Sequence, residues 1–173
     1  MIRELKKAER FIFLEYFILA RGKMWDAIHD VLRRKAAAGV EVRIIFDDFG
    51  SISRQSKNFV KNLRQEGIKV IAFNKIRASV DLFLNNRDHR KITVIDGQIA
   101  YTGGANLADE YINEKERFGH WKDASIRMEG PAAEGFTLLF LSMWRSITNE
   151  KEDLAKYLTG APAQSERKGF LIP

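Results

Sequence analysis

The sequence contains no cysteine, which excludes disulfide bridges and thiolate metal sites without fixing the compartment. No apolar run is long enough to cross a membrane. The longest, Phe11 to Ala20, is interrupted by Glu15 and falls short of the roughly 20 residues a spanning helix requires. The first residues read as a charged amphipathic helix, not a secretory leader. Internal repeats, low-complexity tracts and His/Asp/Glu spacings suited to a metal are also missing. What is there is a chain of 173 residues, 45% hydrophobic and 30% charged, enough for one globular domain with a substantial core. A net charge of +6 suits a polyanionic partner such as phosphate head groups, an anionic membrane surface or nucleic acid. It suits a basic protein with no special partner equally well.

The patterning predicts alternating elements. Ile2 to Glu9 reads as a short helix and Arg10 to Ile18, aromatic and β-branched, as a buried strand. Apolar residues at 25, 28, 31 and 32 predict a helix from Gly22 to Ala38, closed by Gly39. Val40 to Phe46 is a second strand, ending in Asp47 and Asp48. Ser53 to Glu66 is a helix and Ile68 to Phe73 a third strand. This order signals an α/β layer with parallel strands. Asn74 to Arg87 reads as a loop approaching the site. Arg90 to Ile95 and Gln98 to Thr102 form strands joined by an Asp96-Gly97 hairpin turn. A short helix is expected near Asn106, a strand over Ala124 to Met128, and a helix over Pro131 to Ile147 with proline at its start. We place the domain at residues 1–148 and read 149–173 as a charged helical piece and a linker, although a disordered terminus would look the same.

The chemistry concentrates in one stretch. His89 and Lys91 are two apart, so on a strand they share a face, while Ile92 and Val94 serve a core. An imidazole can attack phosphorus or pass a proton near neutral pH, and an ammonium offers three donors to a phosphate oxygen. Taken alone, His-x-Lys also occurs on strand edges where both residues merely meet water. Gly103 and Gly104 could present amides to an anion, and Asn106 could cap a helix whose N-terminus favours negative charge. An ordinary tight turn would look alike. Asp96 has the opposite parity to His89 and suits a role in the turn. Asp123, where a new strand begins, is the better candidate to hold one imidazole nitrogen and set the tautomer. His29 reads as structural, His120 as a loop residue, and Phe11, Phe13 and Phe17 as core, while helix capping accounts for Asp47 and Asp48. Glu15 needs a partner if buried, and Arg43 or Lys91 could serve.

His89-x-Lys91-(x)4-Asp96 followed by Gly103-Gly104-x-Asn106 resembles the signature of the phospholipase D superfamily. Further stretches are similar to bacterial cardiolipin synthases: Glu15 to Ile18, Gly22 to Asp26, Ala36 to Arg43, Asp47 to Ser51, Asn86 to Lys91, Gly103 to Asn113, Phe118 to Asp123 and Glu129 to Pro131. The resemblance implies an α/β/α sandwich with a mixed, largely parallel central sheet. It implies transfer of a phosphatidyl group between two phosphatidylglycerol molecules, giving cardiolipin and glycerol without metal or nucleotide cofactor. His89 would be the nucleophile, or else the acid for the leaving group. Lys91, Gly103, Gly104 and Asn106 would hold the phosphate, Asp123 would orient the histidine, and Asp96 would complete the catalytic motif.

Family members carry the signature twice, together with N-terminal membrane helices, and this sequence has one copy and no such helix. The expectation is a phospholipase D-like half, inert alone, needing a second half in cis or a homodimer partner. The intact protein would work at the cell membrane, its anchor lying outside this chain. Two other readings stay open. One is a single-motif phosphodiesterase or nuclease active as a homodimer, which the extended lipid-synthase similarity disfavours together with nucleic acid as a partner. The other is a scaffold that binds anionic lipid through an orphan phosphate cradle.

Overall fold

The central strand of the sheet, β1 (Phe11–Tyr16), is buried at all six positions. Such a run has apolar neighbours on both faces, so helices must cover both sides. The structure, a computed structural model, describes residues 1–74, 87–117 and 119–158. Most of the expected 74–87 loop, and the tail from 159 on, lie outside the described residues. The other strands are β2 (Glu41–Asp47), β3 (Lys69–Phe73), β4 (Lys91–Ile95), β5 (Ile99–Gly103) and β6 (Ser125–Glu129), in the spatial order β3-β2-β1-β4-β5-β6.

β1, β2 and β3 pair in parallel, whereas β1–β4, β4–β5 and β5–β6 are antiparallel. The sheet is mixed, as expected, but the parallel character belongs to one side only. The Asp96-Gly97 hairpin, with φ of 54° and 72°, reverses the chain between β4 and β5 and accounts for that antiparallel pair. Two-residue turns of this kind join antiparallel strands, while parallel neighbours need a crossover helix.

Those crossovers are α2 (Lys23–Ala37) and α4 (Phe59–Gln65). Trp25, Ile28, Val31 and Leu32 of α2 pack with Ile12, Leu14 and Tyr16 of β1 on one face. α1 (Ile2–Leu5) joins this layer through Leu5. Gly22 offers no side chain to cap α2, and Asp109 does so from a distant turn, accepting from the amides of Lys23 (3.0 Å) and Met24 (2.9 Å). A short α3 (Asp48–Ser51) follows β2. The opposite face of the sheet, Phe11, Phe13, Ile45, Ile92 and Val94, is covered by α5 (Pro131–Thr148) through Phe140, Leu141 and Trp144. Among the described residues no helix is long and apolar enough to cross a membrane.

One boundary changes. Residues beyond 148 do not leave the domain at once. Tyr157 is 1% exposed and packs edge-on against Phe11 at 5.2 Å. Its hydroxyl accepts from Arg43 at 2.7 Å, and Arg43 also binds Glu152. The charged helical piece expected ahead of the linker is therefore a strap on the α5 side, with one short helical turn at Leu154–Lys156. A large aromatic and a buried cation together hold it down.

Candidate active site

Lys91 opens β4 opposite Tyr16 of β1. It points to the face where the Tyr16 and Thr93 hydroxyls meet at 2.8 Å. The side chain is 5% exposed, but its Nζ reaches forward to the exposed His89. Nζ lies 3.0 Å from His89 Nδ1 and donates to the His89 carbonyl oxygen at 2.5 Å. An ammonium can only donate, so Nδ1 accepts and a neutral ring carries its proton on Nε2. Burial lowers the pKa of Lys91, while the negative charges of Asp88 and Asp123 act to raise it. A half-desolvated cation of this kind regains stabilisation when an anion arrives. The Phe17 ring packs against the imidazole at 4.7 Å and lies 5.4 Å from the ammonium.

A tight turn carries the histidine. Asp88 Oδ1 accepts from the Arg90 backbone amide (3.2 Å) and from Arg90 Nε (3.1 Å), closing an Asx turn with His89 at its centre. The Asp88 amide in turn donates to Asp47 Oδ2 at 3.0 Å. Asp47 Oδ1 accepts from Phe49 (2.9 Å) and Gly50 (3.4 Å), so the capping role expected of Asp47 stands and extends to the turn. Beneath it, on the α5 side, lies the fully buried Glu15, with Arg90 Nε 2.6 Å from Oε1. Neither expected partner of Glu15 is used: Arg43 is engaged by Glu41 and Glu152, and Lys91 points to the other face.

Other expectations are corrected. Asp96 sits at the far end of β4, about 16 Å along the strand from Lys91. It accepts from the amides of Glu9 (2.8 Å), Arg10 (2.8 Å) and Phe11 (2.9 Å). It pins the start of β1 and takes no part in the site. Gly104 does not cradle an anion with its amide, which donates to the Ala124 carbonyl. Its lack of a side chain instead admits Asp123: a Cβ there would lie 2.2 Å from Asp123 Oδ1. Gly103 likewise makes room for the β6 backbone, with Ala124 O at 2.3 Å from a Cβ. Asn106 caps no helix. It is 2% exposed, accepts from the Ile18 amide (2.9 Å) and donates to the Tyr111 hydroxyl (2.7 Å). It ties the end of β1 to the turn that follows. Asp123 accepts from Trp121 Nε1 (3.0 Å) and the Ala124 amide (2.7 Å). No hydrogen bond between it and His89 forms among the described residues.

Phe17 is the site residue that the sequence reading missed, having counted it as core. The available signal was its place just past the C-terminal end of a strand in a parallel pair, where α/β sites gather. Beside Lys91 opens a cleft of about 260 Å³, walled by Tyr16, Met24, Tyr101 and Leu107. Among the described residues no group of acidic or imidazole side chains could hold a metal ion.

A family model described as "Cardiolipin synthase, PLD-like domain" matches residues 1–125. An uncharacterized protein of Streptococcus mutans is 48% identical over the whole chain, which covers 37% of that protein. A cardiolipin synthase of Alkalihalophilus pseudofirmus is 36% identical over 98% of the chain and 33% of the synthase. The chain thus spans about a third of the length of these relatives. In fold it resembles Nuc, a phospholipase D family member from Salmonella typhimurium, with a TM-score of 0.60 and 17% identity over 83% of this chain and 84% of that one.

Proposed function

This chain belongs to the phospholipase D-like cardiolipin synthase family, and on that footing we propose that it supplies the nucleophile and phosphate clamp of a phosphatidyltransferase. The observation that carries the reading is the 3.0 Å contact between His89 Nδ1 and the ammonium of the buried Lys91, a residue that also lines a largely apolar cleft. The ammonium suits a phosphate oxygen, and the walls suit the glyceride part of a phospholipid better than a sugar-phosphate backbone.

Nucleophilic attack through Nε2 needs a free lone pair there and the proton on Nδ1. The resting contact holds the reverse arrangement. Arrival of the phosphate draws Lys91 off Nδ1 and onto a non-bridging oxygen, where it meets the charge that develops. Nδ1 then takes the proton, with Asp123 as the carboxylate that holds it. Nε2 attacks the phosphorus of phosphatidylglycerol and the bond to the head-group glycerol breaks. The glycerol oxygen leaves with a proton from a second histidine, and the phosphatidyl group remains on His89. The hydroxyl of a second phosphatidylglycerol then attacks that phosphorus and gives its proton to the second histidine. Cardiolipin departs and His89 is regenerated.

That second histidine comes from another motif-bearing domain, in the same polypeptide or in a second copy. His29 cannot serve, since it stacks on Trp25 and binds Glu66 at 2.6 Å on the outer face of α2. A membrane surface is the expected workplace, and the net charge of +6 favours an anionic one.

The test is glycerol release from phosphatidylglycerol vesicles, with the chain alone and with a second motif-bearing domain added. Turnover should require both partners and fall by about 10³-fold or more in His89→Ala. Cleavage of plasmid DNA without lipid turnover would replace this reading with a nuclease.

A further inference from the structure

Glu15 has no role in the chemistry above, yet it is fully buried directly beneath the turn that carries His89. Its two oxygens and Asp88 Oδ2 are buried without a hydrogen-bond donor among the described residues. Asp88 Oδ1 is already committed to Arg90. Arg90 Nε lies 2.6 Å from Glu15 but directs its hydrogen to Asp88, so one guanidinium faces two carboxyl groups. Two buried anions sharing one cation would leave a net charge in an apolar layer, because Phe13, Ile45, Ile92 and Phe140 make up this side of the sheet. A proton held between the two carboxyls removes that charge and supplies the missing donor.

We propose that Glu15 is a positioning residue for His89: its neutral carboxyl donates a hydrogen bond to Asp88 Oδ2 and so locks the Asx turn on which the imidazole rides. The role rests on the reading of His89 as the reacting group. Burial, and then the charge of Asp88, push Glu15 up to about 9, so the lock holds at neutral pH and opens in alkali. Arg90 acts in the opposite direction. Asp47 and Arg43 of β2 lie on the same face of the sheet, but each has its own partners. The α5 residues packed on this face are apolar, and Arg145 of that helix is exposed.

Infrared spectra of the whole chain should show the carbonyl stretch of a protonated carboxyl at neutral pH. The band should disappear as pH passes about 9 and be missing from Glu15→Gln. The ¹⁵N resonances of the His89 ring should move over the same pH range in the parent and stay flat in Glu15→Gln, whose amide keeps the donor. In the complete turnover assay Glu15→Gln should keep activity and extend it into alkali, while Glu15→Ala should lose about 10²-fold. A missing band at neutral pH, or a Glu15→Gln protein titrating like its parent, would overturn the proposal. If the parent turns over no lipid, the catalytic reading fails, yet infrared and nitrogen spectra still report on the carboxyl pair.

Discussion

At the residue scale the proposed reaction turns on the state of one imidazole nitrogen. Lys91 donates to Nδ1 of His89, so the resting ring keeps its proton on Nε2, and in the proposed reaction the arriving phosphate reverses that arrangement. Replacing Lys91 with Met removes that donor while preserving a long apolar stem. The neutral ring of Lys91→Met should then become a mixture of Nδ1–H and Nε2–H forms, read from ¹⁵N chemical shifts, whereas the parent stays in the Nε2–H form. An unchanged tautomer in the variant would show that the contact does not set it. Turnover in the variant should fall by about 10²-fold or more, as loss of a preorganised donor to a developing anion generally costs.

At the scale of an element, the end of β5 sets the surroundings of Asp123. Gly103 and Gly104 are adjacent, but a methyl group meets different atoms at each. At Gly103 it meets the backbone of β6, with Ala124 O at 2.3 Å and the Ser125 Cα at 2.8 Å. Backbone cannot rotate aside, so Gly103→Ala should loosen the β5–β6 pairing and cost about 2 kcal/mol or more in denaturant unfolding. At Gly104 the methyl meets the exposed Asp123 carboxylate, which can swing away. Gly104→Ala should therefore leave stability within about 0.5 kcal/mol of the parent while lowering turnover, as Asp123→Ala should if Asp123 holds the imidazole. Equal stability losses in the two variants would contradict this division.

For the molecule as a whole, the strap over residues 149–158 closes the α5 face. Its electrostatic knot is Glu41, Arg43, Glu152, Lys156 and Tyr157. Burial pushes Glu41 upward, but bonds from Lys69, Arg43 and Lys156 outweigh it and hold the carboxyl at about 2. A carboxyl held below its ordinary value of 4.5 adds stability at every pH above that value. The contribution drains away as pH falls from 4.5 toward about 2. Acid should thus release the strap, and protease cleavage between Asn149 and Tyr157 should accelerate across that range. Glu41→Gln should already be cleaved faster at neutral pH and respond less to acid than the parent, the remaining response coming from Glu152, which its bond from Arg43 also holds below the usual carboxylate range. Tyr157→Ala should cost about 3–5 kcal/mol, the usual range for removing a buried aromatic.

Local order was legible in the sequence by itself. The period of the apolar residues marked the six strands and helices α2 and α5 to within a few positions, whereas α4 begins at Phe59, later than the expected Ser53, and α3 was not foreseen. Asp96-Gly97 marked the hairpin, and the closeness in sequence of His89 and Lys91 marked two side chains that meet, although through the turn at His89 and not through a shared strand face. All of these depend on neighbours along the chain, which backbone geometry relates directly. Tertiary structure alone decided which carboxylate does what. Asp96 pins β1 across 85 to 87 positions of sequence, Asn106 reaches back 88 positions to Ile18, and Tyr157 crosses 114 to Arg43. Glu15 meets Asp88 and Arg90 only because β4 lies antiparallel to β1. Strand order and register bring such groups together, and no local periodicity records which distant strand will be the neighbour.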